Sequence, residues 1–121
     1  MKKILLAFLL VAASMSALPA FSADMICNLN VQQPGGTVIG NGTSHCFGLD
    51  FSFGGSTSGT WTITNIMKPV DRIRWTKGCS SGLSCGVTVY AYTANEGEAY
   101  IHYDDGSIEL VEATMFYETG Y

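Results

Sequence analysis

An antiparallel β-sandwich of about seven short strands is the fold class that this sequence predicts, on three observations. Apolar and polar residues alternate with period two over most of the chain after position 24. Turn-forming clusters of glycine, serine, asparagine and aspartate recur at regular spacing between those runs. No stretch of the mature chain has a convincing helical period, and an open sheet would leave one of the apolar faces wet.

The chain opens with Met1-Lys2-Lys3, the apolar run Ile4 to Val11 and then small residues, the pattern of a secretory signal peptide. The run is too short to span a bilayer, and no later stretch predicts membrane insertion. Cleavage is expected after Ser22, which has Ala20 two positions earlier, or after Ala23. Residues 1–23 are thus read as the leader and 24–121 as a single disulfide-stabilised domain, secreted to the periplasm or the exterior. Cys27 follows Asp24-Met25-Ile26 with no small neighbour, so it is not read as a lipid-anchored cysteine.

Met25 to Val31 is a short alternation that ends in the turn cluster Gln32-Gln33-Pro34-Gly35-Gly36, and Thr37-Val38-Ile39 is at most a brief edge strand. Asn41-Gly42-Thr43 has the form of a glycosylation acceptor but carries no weight beside a bacterial-type leader. From Cys46 to Phe53 the apolar set is Phe47, Leu49, Phe51 and Phe53, read as a buried face. A hairpin through Gly54 to Ser58 would set Phe51 opposite Trp61 and Leu49 opposite Ile63, with Thr60, Thr62 and Thr64 outward. Pro69 interrupts the chain. Beyond it, Ile73 and Trp75 alternate with Arg72, Arg74 and Thr76, which predicts a strand with a cationic outer face.

After the loop Lys77 to Cys85, the stretch to Tyr117 reads as three strands. A turn at Asn95-Glu96-Gly97 would place Tyr92 opposite Tyr100 and Tyr90 opposite His102. A two-residue turn at Asp105-Gly106 would pair Tyr103 with Ile108 and His102 with Glu109. Val87, Val89, Ala91, Ala99, Ile101, Tyr103, Ile108 and Leu110 then face the core, and Tyr90, Tyr92, Tyr100, His102 and Glu109 face outward. The apolar set shifts to Val111, Ala113, Met115 and Tyr117, which is read as a bulge near position 111.

Four cysteines, Cys27, Cys46, Cys79 and Cys85, lie in the mature part, where an oxidising compartment favours disulfides. The expected pairing among the three connectivities is Cys27 with Cys46 and Cys79 with Cys85. A four-cysteine zinc site is disfavoured because no Cys-x-x-Cys pair is present. Without the leader, Lys68, Arg72, Arg74 and Lys77 stand against ten carboxylates, a net charge of −6 that argues against nucleic acid as a partner. All four basic residues lie between 68 and 77. They read either as solvated loops and strand faces or as an edge that docks an acidic polymer or a partner chain.

Gly59-Thr60-Trp61-Thr62-Ile63, Ile73-Arg74-Trp75, the Cys79 to Cys85 loop and Val87-Thr88-Val89-Tyr90-Ala91-Tyr92 together resemble the small immunoglobulin-like or PKD-like accessory domains of secreted bacterial proteins. The resemblance implies an immunoglobulin-like sandwich and a non-catalytic spacer, binder or adhesive module. The spacing of Cys79 and Cys85 departs from the inter-sheet bridge of immunoglobulins.

No motif for nucleophilic, zinc-dependent or phosphate-binding chemistry occurs, and no cofactor is expected. Asp104-Asp105 is explained by turn formation. The outward Tyr90, Tyr92, Tyr100 and His102 are the candidate ligand-binding residues, as a platform for a polysaccharide or anchors for a cell-surface protein. Cross-strand aromatic pairing that only stabilises the sheet accounts for the same residues. The expected function is therefore a secreted surface-binding module. The alternatives are a protein-contact subunit or inhibitor that adds a strand at an exposed edge such as Val111 to Tyr117 and, third, a small hydrolase using His102.

Overall fold

The structure is a computed structural model, and it describes residues 22–31 and 35–120. Most of the stretch expected to be a leader, residues 1–21, and part of the 32–36 turn cluster lie outside the described residues. Among the described residues there is no helix. The strands are β1 (Asp24–Leu29), β2 (Thr37–Ile39), β3 (His45–Leu49), β4 (Ser56–Thr64), β5 (Val70–Trp75), β6 (Ser84–Tyr90), β7 (Ala94–Tyr103) and β8 (Ile108–Glu118). They form two sheets, an antiparallel one in the order β1-β4-β6 and a five-stranded one in the order β2-β3-β8-β7-β5. The second sheet is mixed, because β3 runs parallel to β8. Two strands so distant in sequence need no tight turn, so a parallel pair is open to them.

The core is an interlock of large side chains and glycines. A Cβ on Gly97 of β7 would stand 2.5 Å from the Trp61 ring of β4. One on Gly59 of β4 would stand 2.7 Å from the Met115 sulfur of β8, and one on Gly48 of β3 would stand 2.6 Å from Leu29 of β1. Each glycine thus lies in one sheet and receives a side chain from the other. Met25, Cys27, Ile63, Trp75, Val89, Ile101, Val111 and Tyr117 belong to the same buried set, each large apolar side chain contributing about 1.5–3 kcal/mol. Cys27–Cys46 joins β1 to β3 across the two sheets, and Cys79–Cys85 closes the loop before β6. Both pairings are those expected, and they fit an oxidising, extracytoplasmic environment.

Beside the wholly antiparallel pairing, which β3 and β8 break, three further expectations fail, and each has an identifiable cause. First, β6 and β7 are not a hairpin. Asn95, Glu96 and Gly97 lie within β7, and the chain crosses between sheets at residues 91–93, with Tyr92 at φ 63°. Gly97 serves as the recess for Trp61 rather than as a turn residue. Second, Asp104 joins Asp105 and Gly106 in a three-residue loop closed by Tyr103 N–H donating to the Ser107 carbonyl at 2.9 Å. Gly106 supplies the positive φ, 87°. The register therefore pairs His102 with Ile108 and Ile101 with Glu109. A slip of one residue reverses every side chain, so Ile108 and Leu110 face outward and Glu109 inward. No bulge follows, since Glu109, Val111, Ala113, Met115 and Tyr117 are one continuous inward row. Third, Phe47, Leu49, Phe51 and Phe53 are not a buried face. Cys46 must turn inward to reach buried Cys27, which carries Gly48 and Asp50 inward and sends the aromatic set out. β3 and β4 lie in different sheets, so Phe51 does not face Trp61.

Candidate functional site

Two central strands and one edge strand present the side chains of the five-stranded sheet's outer face. Inward burial of Ala99 and Ile101 on β7 forces Tyr100 and His102 outward, and the same logic on β5 and β8 exposes Arg72, Arg74, Ile108 and Leu110. The register aligns them in two rows, Arg74–Tyr100–Leu110 and Arg72–His102–Ile108. The Arg74 guanidinium lies 4.5 Å above the Tyr100 ring centre, a cation–π contact. Its Nε–H donates to His102 Nε2 at 3.5 Å. At the end of the rows Lys68 Nζ donates to Asp105 Oδ2 at 3.0 Å and to Ser107 Oγ at 2.8 Å. Hydrogen bonds from Ser107, with Lys68 beside it, hold the Asp105 carboxyl down at about 2.

The expected pair of His102 with Glu109 is not made. Glu109 Oε1 instead accepts from the Tyr103 hydroxyl at 2.6 Å on the inner side of the sheet. Burial, then that hydrogen bond and the nearby carboxylates, push Tyr103 up to about 12. A second inward carboxylate, Asp50, accepts from Tyr117 Oη at 2.5 Å and Ser52 Oγ at 2.6 Å. Burial and then Asp50 raise the Tyr117 hydroxyl. Both pairs face the interior, and that of Tyr117 with Asp50 is buried.

The other two candidate tyrosines are elsewhere. Tyr90 ends β6 in the three-stranded sheet, and Tyr92 occupies the crossover, its hydroxyl donating to the Thr119 carbonyl. Phe53, 89% exposed, and the Tyr92 hydroxyl both lie against Gly120. Tyr100 and His102 are thus brought together, and Tyr90 and Tyr92 are separated from them. Farther along the outer face Phe47 stacks on Phe116, with centroids 6.0 Å apart. Glu98 and Glu112 lie directly opposite each other between these regions.

Beside β6 is a cleft of about 560 Å³, lined by Trp61, Gly86, Thr88, Tyr90, Asn95 and neighbouring residues. Ile108 and Leu110 are two members of the outer face that sequence reasoning missed. Counting the alternation backward from Val111 would have found them. No group of three or more potential metal ligands occurs among the described residues, and no helix there is long and apolar enough to cross a membrane. No family model, curated protein or solved structure matches this chain.

Proposed function

We propose that this chain is an exported, non-catalytic β-sandwich module of immunoglobulin-like build that holds a protein ligand on the outer face of its five-stranded sheet. The strand orders support the architecture: β1-β4-β6 matches A-B-E, and β5-β7-β8 matches C-F-G. Trp75 is then the buried tryptophan of strand C. Where immunoglobulins bridge strands B and F by a disulfide, this chain sets Trp61 against Gly97.

One observation carries the choice of ligand. One face of the Tyr100 ring is covered by Arg74 and is closed to a stacked sugar, while arginine, tyrosine and exposed aliphatic side chains together are the composition of a protein contact. Ile108 is 58% and Leu110 43% exposed. Arg72 and Arg74 suit a partner with carboxylates at its rim. The test is depletion of the mature oxidised chain by immobilised cell-surface proteins and, separately, by insoluble polysaccharides and peptidoglycan. Retention by the protein fraction, lost in Arg74→Glu/Leu110→Asp and kept in Tyr90→Ala/Tyr92→Ala, is expected. Retention by polysaccharide alone overturns the protein ligand, and loss only in the tyrosine variant moves the site.

A second reading, strand addition by a partner segment, is favoured by the side of β6 away from β4, open as far as Tyr90, whose backbone groups are taken by the Asn95 side chain. The expected donor edge at Val111 to Tyr117 is excluded, because β8 is paired on both sides. Of the sheet edges, β2 has three residues, and β5 carries Asp71, Arg72 and Arg74 with a register irregularity between Val70 and Arg72. The β1 edge is covered by residues 41–43, as in Cys27 N–H to the Thr43 carbonyl at 2.8 Å. β6 has seven residues, Ser-Cys-Gly-Val-Thr-Val-Tyr, with no charge and no proline, the usual protections of an edge. Ile63 N–H to Leu83 O and Ala91 N–H to Gly55 O show that odd-numbered residues bond toward β4. Ser84, Gly86 and Thr88 therefore direct their backbone groups outward. Thr88→Pro removes an outward donor and leaves the β4 ladder intact, so it is expected to fold and to abolish binding if the partner adds a strand here.

A further inference from the structure

The inward row of β8 begins with a carboxylate that has no cation. Glu109 is half-buried, and its two oxygens accept from neutral donors, Oε1 from Tyr103 Oη at 2.6 Å and Oε2 from the Ala23 backbone nitrogen at 2.8 Å. Ala23 is 7% and Tyr103 5% exposed. Among the described residues the ion pair is Lys68–Asp105, and no basic side chain is within ion-pair distance of Glu109. A carboxylate half shielded from water and held by neutral donors gains from a charged one, because a charge-assisted hydrogen bond is the stronger.

The nitrogen beside Glu109 is also the one that leader cleavage after Ser22 would set free. Ser22 and Ala20 are the small residues that such a cleavage requires on its leader side. We propose that the leader is removed at the Ser22–Ala23 bond and that the α-ammonium released there is the counter-ion of Glu109. In that hydrolysis water adds across the amide. The Ser22 carboxylate departs with the leader, and the Ala23 nitrogen takes up protons to become an ammonium. A neutral donor becomes a charged one at a nitrogen already 2.8 Å from Oε2. Its neighbours keep other partners: Asp24 accepts from Asn65 Nδ2 at 2.6 Å, and Lys68 is held by Asp105 and Ser107 above the Tyr103 ring.

The consequence is a strap between residues 86 positions apart in the chain, from the start of β1 in one sheet to β8 in the other, that reaches full strength only after processing. Cleavage one bond later, after Ala23, would discard both the nitrogen and the contact.

The first test is the intact mass of the exported protein, expected to begin at Ala23. A start at Asp24 or anywhere else overturns the proposal. The second is a double-mutant cycle by urea unfolding of the oxidised protein. It compares a chain that begins at Ala23 with one that keeps Ala20-Phe21-Ser22, each with Glu109 or Glu109→Gln. With Glu109, the Ala23 start is expected to raise the folding constant about five- to thirtyfold, and in the E109Q background the difference should vanish. An equal difference in both backgrounds overturns the ion pair. Should E109Q fail to fold, the α-amine of the otherwise unaltered Ala23-start chain is titrated by NMR. An elevated pKa relative to an unfolded control supports the pair, and an unchanged one overturns it.

Discussion

Gly97 shows how much a single residue decides here. It stands where a side chain would enter the Trp61 ring, and an indole enclosed between two sheets has little room to give way. Gly97→Ala is expected to destabilise the protein by about 1–3 kcal/mol, read as a lower urea midpoint with an unchanged slope. Glu112 offers the opposite case. It faces Glu98 across the β7–β8 ladder, and like charges in that position repel, so Glu112→Lys should stabilise by roughly 0.2–1 kcal/mol and raise the melting temperature. Tyr103 supplies a pH dependence with a definite sign. Its hydroxyl titrates at about 12 in the folded chain against about 10 when unfolded. The folded state therefore binds more protons in that interval, so this contribution is whole below about pH 10 and is lost as pH rises through about 12. Urea midpoints in alkaline buffers should fall less steeply in Tyr103→Phe. Of these three residues the sequence reveals little. Gly97 beside Asn95 looks like a turn, because period and turn chemistry cannot tell a glycine that bends the chain from one that admits a ring from another sheet.

At the scale of elements, local alternation was a sound guide wherever a strand had one covered face. Trp61, Ile63 and Trp75 point inward as expected, the threonines between them point out, and Arg72, Arg74, Tyr100 and His102 share the expected outer side. What alternation cannot give is which strand lies beside which. The run through Phe47 has two apolar-looking choices, and only the distant partner of Cys46 decides between them. The Asp105-Gly106 loop could close with two residues or three, and Asp104 tips it to three. That single residue transfers Ile108 and Leu110 to the candidate site and removes Glu109 from it. The two disulfides differ in the chain they enclose, with separations of 19 and 6 residues. In the loop-entropy account, Cys27→Ala/Cys46→Ala should cost about 3 kcal/mol and Cys79→Ala/Cys85→Ala about 2 kcal/mol. Urea unfolding of the two double variants checks the order.

For the whole molecule, the pairing of β3 with β8 matters most. β8 lies between β3 and β7, so removing it leaves β2 and β3 with no link to β7 and β5. A chain that stops at Ser107 is therefore expected to lack a fixed near-ultraviolet circular dichroism signal, rather than to fold minus one strand. The same arrangement sets a clock on biogenesis. A ribosome, or a pore that admits an extended chain, delivers residues in order, and here the last of the described strands is the keystone of the larger sheet. Until it arrives, β2–β3 and β5–β7 have no common neighbour, and the larger sheet stays open. Once it emerges, one long-range closure joins β3 to β7 and completes the larger sheet.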